Sequence, residues 1–438
     1  MVHRWLPFAT WLTPTSVMPS KPLKPTNPRF DDVRMRGFRS RTRVQDALAW
    51  VDAAAPWLAS EDVPLRFACG RVVAHDVVSR FDVPSFRRAM MDGYALRAAD
   101  TQGATNYNRL TLRIIGGILP GQSFADEIQH GQCVSIMTGS PMPLGADAVL
   151  PAEKVSRTGD ELTVMDEVPP AKHVGKVGED VKQRTSVLSK GRRLRPQDLG
   201  VLSSVGQSTI AVVRRPRVRL VITGNELCEA GSIPQPNQTV DANSPMLAAL
   251  IERDGGEVLF EGILGDDPEQ VRLAMEDPAA DIVLVSGGTS VGQEDHAPRI
   301  LSEVGELAIH GIAMRPSSPT GMGRIGERLV FLLPGNPVSC LCAYDFFAGR
   351  AIRLRGGRSA DWPYIKMTGK LKRKISSVVG RHDYARVSMC GDLVDPIAIA
   401  GASVLSSTTR ADGFVVVPSD SEGFPPNAEV DVYLYGAR

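Results

Sequence analysis

Apolar residues recur along this chain with two different periods, and the change of period divides it. After Thr42, residues Val44, Ala47, Leu48 and Val51 fall on one face at helical spacing, which predicts a helix closed by Pro56 and Pro64. Residues 65–83 read as strand and turn around the β-formers Val72, Val73, Val77 and Val78. From 110 to 150, short apolar runs alternate with Gly and Pro turns, which predicts a compact β module. Residues 173–195 are polar and glycine-punctuated, like a hinge, before a short helix over 196–205 that stops at Gly206.

At Pro216 the pattern switches. Strands are predicted over 217–222, 257–264, 281–286 and 329–333. Between and after them lie predicted helices over 244–254, 268–275, 296–304 and 338–347. The first of these has Asn243 at its cap, Pro245 in its first turn and Gly255 just past its end. Strand and helix alternating with short links predict a doubly wound α/β domain on a mostly parallel sheet. Beyond Gly357 the helical period disappears, and short β runs over 365–438 predict a small β-barrel or sandwich.

Length sharpens this division. At about 100–200 residues per domain, the 438 residues make roughly three domains. The expected parts are an extension over 1–40, a hinge domain from 41–81 and 173–215, and a β module over 82–172. An α/β domain over 216–357 and a barrel over 358–438 complete them. The extension has cations but no acid over residues 1–30 and lacks the apolar core of a signal peptide, so it is expected to be disordered. With 50 cationic and 49 anionic residues the net charge is +1, which excludes a polycation built for nucleic acid. No apolar run approaches the ~18 residues of a membrane span. Six cysteines without a C-x-x-C pair predict buried, reduced thiols in a cytoplasmic protein.

In open parallel sheets, ligands bind outside the carboxyl ends of the strands. Three predicted strands run there into glycine-bearing loops. The first is Thr223-Gly224-Asn225-Glu226-Leu227. The second is Ser286-Gly287-Gly288-Thr289-Ser290-Val291-Gly292, and the third Leu333-Pro334-Gly335-Asn336-Pro337. Each alone is ordinary turn chemistry. Three on one edge describe a lysine-free cradle for a phosphate-bearing ligand. No Walker A motif and no helix-opening G-x-G-x-x-G occurs, which disfavours a P-loop nucleotidase or a dinucleotide enzyme. Glu226, Asp266, Asp267 and Asp295 cluster in the same domain and suggest Mg²⁺, which takes one or two carboxylates beside substrate phosphates. Asp267 directly precedes Pro268 and is expected to cap that helix instead. Arg315, followed by Ser317, Ser318 and Thr320, is a candidate oxyanion clamp or a surface arginine in a proline turn.

Six motifs occur in order: Met91-Asp92-Gly93-Tyr94-Ala95, Met137-Thr138-Gly139-Ser140-Pro141, Gly178-Glu179-Asp180 and the three loops above. With them the chain, over about 42–438, resembles the molybdopterin molybdenumtransferase family (MoeA and the gephyrin E domain). The resemblance implies an elongated L-shaped subunit. Its parts would be β-rich amino-terminal modules, a central molybdopterin-binding-like α/β domain and a carboxy-terminal β-barrel. It further implies a homodimer that inserts molybdate into adenylylated molybdopterin, releasing AMP and molybdenum cofactor with the help of Mg²⁺. The functional acids and hydroxyl it implies are Asp92, reaching the cleft from the partner subunit, Thr138, Asp180, Glu226, Asp266 and Asp295.

On the same reading, Thr223, Gly224, Ser286, Gly287, Gly288, Thr289, Ser290, Pro334, Gly335, Asn336 and Pro337 hold the pterin nucleotide. Asp266, Asp295 and Asp92 hold the metal, and Arg315, Ser318, Arg386 and Ser403 hold molybdate. Implied partners are the preceding adenylyltransferase and the recipient molybdoenzymes. The chain departs from the family where Arg315 and Ser318 replace two lysines, and Arg is not a free substitute for Lys. Two rival readings are a molybdopterin adenylyltransferase, which the motifs before residue 216 disfavour, and a scaffold that has kept the fold without turnover.

Overall fold

The computed structural model describes residues 38, 40–290 and 295–436. The expected disordered extension lies almost wholly outside these residues, as do Val291, Gly292 and Glu294.

Residues 93–164 form the predicted β module, a six-stranded sheet whose strands run Ala148–Pro151, Gly93–Leu96, Gln132–Ile136, Leu110–Ile118, Glu161–Val164, Val155–Thr158 in spatial order. Period-two alternation gives it a core on each face. Tyr94 and Leu96 join Cys133 and Leu150 on one side, while Ala95 joins Val134 and Val149 on the other. Chain segments before and after this module pair with each other. Ser60–Pro64 is antiparallel to Thr209–Val213, Val77–Val78 to Ser186–Leu188, and Arg88–Ala89 to Val174–Gly175. The module is thus an insertion held by three pairs of strands. Helix Pro196–Ser204 closes their small core through Leu202.

The predicted α/β domain is present. Glu257–Leu259, Arg217–Thr223, Ile282–Ser286 and Arg328–Leu333 form a parallel sheet in that spatial order, and Gly321–Ile325 and Glu306–His310 extend it antiparallel. Its strands are apolar on both faces, as a covered parallel sheet requires. Leu220, Ile222, Leu284 and Phe331 pack to one side and Val221, Val283, Val285 and Val330 to the other. The strand predicted over 257–264 is broken. Gly262 has φ +115°, and Ile263–Leu264 then re-pairs with Ile222–Thr223. Helix Val44–Ala54 buries Val44, Ala47 and Val51 against this domain, in one cluster with Phe347 and Ile352. The helix predicted over 338–347 is longer than expected: Pro337–Ala343 continues through a π-helical turn, Tyr344–Ala348, into Gly349–Arg355. That turn buries Asp345 completely, where Arg253 and Tyr364 donate to it.

The carboxy-terminal domain is a closed barrel rather than a sandwich. Its strands are His382–Cys390, Leu393–Ala398, Ile365–Leu371, Glu429–Leu434 and Gly413–Val417, the last pairing back to the first. Among the described residues no helix is long and apolar enough to cross a membrane. All six cysteines are unpaired, but the expectation of buried thiols holds for Cys133, Cys340 and Cys342 and fails for the exposed Cys69 and Cys390.

Candidate functional site

The carboxyl ends of the parallel strands open into a cleft of about 660 Å³. Its walls are the three predicted loops, and they meet through glycines. Gly287 has φ +100°, and a Cβ there would stand 2.2 Å from the Thr223 carbonyl oxygen. Gly335 faces Gly287 on the other side, its own Cβ position 3.6 Å from the Gly287 Cα. The Thr289 hydroxyl donates to the Leu333 carbonyl at 2.9 Å, tying the second loop to the third. Backbone groups can therefore line the cleft without side chains in the way.

Two cross-links hold the first loop. Asn225 N–H donates to Asp266 Oδ2 at 3.1 Å, and Asp266 N–H to Asn225 Oδ1 at 3.2 Å. Asp267 is the helix cap expected of it, accepting from Glu269 N–H at 2.9 Å. His310 braces the second loop from below: Thr289 offers a carbonyl, so Nε2–H must be the donor, at 3.2 Å. Burial pushes that imidazole below the ordinary histidine range and keeps it neutral.

Asn243 does not cap its helix. Asp241 does, accepting from Asn243 N–H at 2.8 Å and Ser244 N–H at 3.1 Å. The Asn243 side chain instead enters the cleft, where Nδ2 donates to Ser286 Oγ at 2.9 Å and to the Gly335 carbonyl at 2.7 Å. Sequence reading missed this role. The cue was the aspartate two residues earlier, which makes a second cap unnecessary.

Of the sequence-predicted residues, Thr223, Gly224, Glu226, Asp266, Asp295, Ser403, all of Ser286 to Ser290 and all of Pro334 to Pro337 line this one cleft. Arg315, Ser318 and Arg386 gather beside it, where the barrel docks. Arg315 pairs in register with Asp383 of the first barrel strand, and its Nη2 donates to the fully buried Asp383 carboxylate at 2.6 Å. Arg386 lies on that same strand, and its Nη2 donates to the Ala400 carbonyl. The Ala402 carbonyl in turn accepts from Val338 N–H at 2.9 Å, so the 400–403 loop sits on the start of helix Pro337–Ala343. Arg386 is 0% exposed, yet its Nε and Nη1 have no acceptor among the described residues. The same holds of Arg315 Nε and Ser318 Oγ. Buried donors left open in this way describe a place for an anion.

Asp92, Thr138 and Asp180 do not line this cleft. Asp92 lies in the β module, where Thr138 N–H and hydroxyl donate to its Oδ1 at 2.7 and 2.8 Å. Those two bonds hold its carboxyl below the usual range, ionised and in a fixed rotamer. Asp180 is exposed, and its neighbour Glu179 pairs with Arg88 at 2.7 Å. No three metal-ligating side chains cluster among the described residues. Asp266 and Asp295 share one cleft, however, and two carboxylates suit an ion that takes the rest of its shell from water and substrate phosphates.

Comparisons with known proteins agree along the chain. Family models match residues 42–206 (MoeA N-terminal region, domain I and II), 219–353 (probable molybdopterin binding domain) and 368–435 (MoeA C-terminal region, domain IV). A putative molybdopterin biosynthesis protein of Methanocaldococcus jannaschii is 33% identical over 85% of this chain and 92% of its own length. A molybdopterin molybdenumtransferase of Haemophilus influenzae is 32% identical over 82% of this chain and 90% of its own. A crystal structure of a MoeA molybdopterin biosynthesis protein from Pyrococcus horikoshii superposes with a TM-score of 0.78 at 33% identity, covering 91% of this chain and 100% of that one.

Proposed function

The chain belongs to the MoeA family, and from that premise we propose that it is a molybdopterin molybdenumtransferase: it inserts molybdate into adenylylated molybdopterin and releases AMP and molybdenum cofactor. The observation that carries this reading is the juxtaposition of two anion sites. A glycine-walled cleft suits a pyrophosphate, and beside it lies the fully buried guanidinium of Arg386 with open donors. Two anionic reactants repel strongly in a dry cleft, so bringing them together needs fixed donors on both.

The backbone of Ser286 to Ser290 and of Pro334 to Pro337 would hold the pterin nucleotide. Arg386, Ser318, Ser403 and the free edge of Arg315 would hold molybdate. Arg315 is partly committed to Asp383, so Arg386 carries more of that task than the sequence implied. Asp266 and Asp295 would hold Mg²⁺, which when bound neutralises phosphate charge and polarises the phosphoanhydride. The neutral His310 keeps the second loop in place and adds no charge of its own. A side-chain nucleophile is unnecessary where positioning and electrostatics suffice.

Asp92 requires a second subunit on this reading. Met90, Met91 and Met137 are exposed beside the Asp92–Thr138 pair, and apolar exposure of that kind favours burial in an interface. A C₂ homodimer would bring Asp92 of each chain to the other's cleft. Unpaired thiols fit a reducing cytoplasm. The decisive assay is AMP release from adenylylated molybdopterin on adding molybdate. Turnover supports the proposal. Formation of adenylylated molybdopterin from ATP and molybdopterin, without molybdate-dependent AMP release, would replace it with the adenylyltransferase reading.

A further inference from the structure

Asn243 carries a signal that its role as a clamp does not use up. Both amide hydrogens are spent, one on Ser286 Oγ and one on the Gly335 carbonyl. A carbonyl can accept but never donate, so the amide cannot be flipped: Nδ2 must face Gly335. That fixes Oδ1. The residue is 7% exposed and lines the cleft, and Oδ1 has no donor among the described residues. On the same wall, Thr223 is 5% exposed and its Oγ1 also lacks a partner. A buried acceptor in a fixed orientation favours a ligand that brings a hydrogen.

We propose that Asn243 Oδ1 is a specificity-determining acceptor that takes a neutral N–H or O–H donor of the bound substrate. An ionised phosphate cannot fill that place, because it offers acceptors alone and would set oxygen against oxygen. Oδ1 therefore divides the cleft: glycine-loop N–H groups take the phosphates, and Asn243 takes a neutral neighbour of them. Three parts of an adenylylated pterin have such donors: the sugar hydroxyls, the adenine 6-amino group and the amino edge of the pterin ring. This inference rests on the nucleotide reading above and adds which group is recognised and by which atom.

The test is binding calorimetry with matched pairs of small ligands on the full chain. AMP is compared with 2′-deoxy-AMP, 3′-deoxy-AMP and purine riboside 5′-monophosphate, which lacks the 6-amino group, and pterin with lumazine, in which oxygen replaces the 2-amino group. In the unaltered protein, one analogue should bind about tenfold or more weakly than its parent, because it leaves Oδ1 buried and unpaired. Which pair shows the loss identifies the group recognised. In Asn243→Ala the parent should bind as weakly as the analogue, so the difference between them vanishes. In Asn243→Asp both donors are lost but an acceptor remains, so the difference should persist while all ligands bind more weakly. A clamp without a reading role would make the two variants behave alike, and that result overturns the inference. So does an equal response of parent and analogue in the unaltered protein, which needs no variant to fold. If the unaltered protein binds neither AMP nor pterin, the nucleotide reading itself fails and takes this one with it.

Discussion

Arg386→Met should make the protein more stable and much less responsive to molybdate. The guanidinium is fully buried and makes one hydrogen bond among the described residues, Nη2 to the Ala400 carbonyl. Its Nε and Nη1 carry N–H groups with no acceptor among the described residues. Each unmet donor costs about 1 kcal/mol or more, and the desolvated charge several more. Burial pulls the guanidinium pKa down, the sign expected of an uncompensated cation. Methionine keeps an unbranched stem opposite Phe414 on the strand that carries Tyr384 and removes the charge, at the loss of one charged bond worth about 1.5–3 kcal/mol. The expected net is a gain of about 1–3 kcal/mol without oxyanion, or roughly 2–4 °C in Tm per kcal/mol. Molybdate should narrow the gap. At a hundred times the Kd of the unaltered protein it would stabilise that protein by about 2.7 kcal/mol and the variant by about 1.4 kcal/mol or less. Thermal unfolding in chloride buffer with stepwise added molybdate reads both effects. A variant less stable than the parent in the absence of oxyanion, or one with an unchanged molybdate shift, refutes the reasoning.

Three further outcomes are expected. Gly287→Ala places a Cβ 2.2 Å from a backbone oxygen at φ +100°, so a strand end must move; a loss of about 2–4 kcal/mol by thermal unfolding and loss of AMP binding should follow. Gly121→Ala is its control, with φ +82° and nothing within 4 Å, and should cost about 1 kcal/mol with binding intact. Burial pushes Asp345 up to about 6 in spite of Arg253 beside it. Folding therefore holds that proton above the roughly 3.9 of an unfolded chain, so its stabilisation is full below about pH 4 and lost as pH rises through about 6. Asp345→Asn should flatten that decline in a Tm series against pH, and an unchanged slope would place the titration elsewhere. Finally, Asp92→Asn and Asp266→Asn should each be inactive, yet mixing them after reversible dissociation should restore activity to about a quarter of the sites, as a shared C₂ site demands. No recovery in verified mixed dimers would confine Asp92 to its own subunit.

The sequence by itself determined what is local or periodic. The switch of period at Pro216 located the α/β domain, because a covered parallel sheet needs strands apolar on both faces and a helix between them. The loops at the strand ends were legible for the same reason, since topology alone puts them on one edge. So was the Asp267 cap, whose partner is two residues away. What the tertiary structure decided are partnerships between distant positions. Asn243 has the residue type of a cap, yet Asp241 takes that bond and frees it to reach Ser286 and Gly335. Arg315 reads as an open clamp until the barrel sets Asp383 against it. Arg386 is a molybdate ligand by family resemblance, but only packing shows it stripped of water and of most acceptors. Helix Val44–Ala54 shows its apolar face in sequence but not the domain that covers it. The physical reason is common to all four. Periodicity and capping are satisfied within a turn or a strand pair, whereas the state of a buried charge or amide depends on which far residues the fold brings to it.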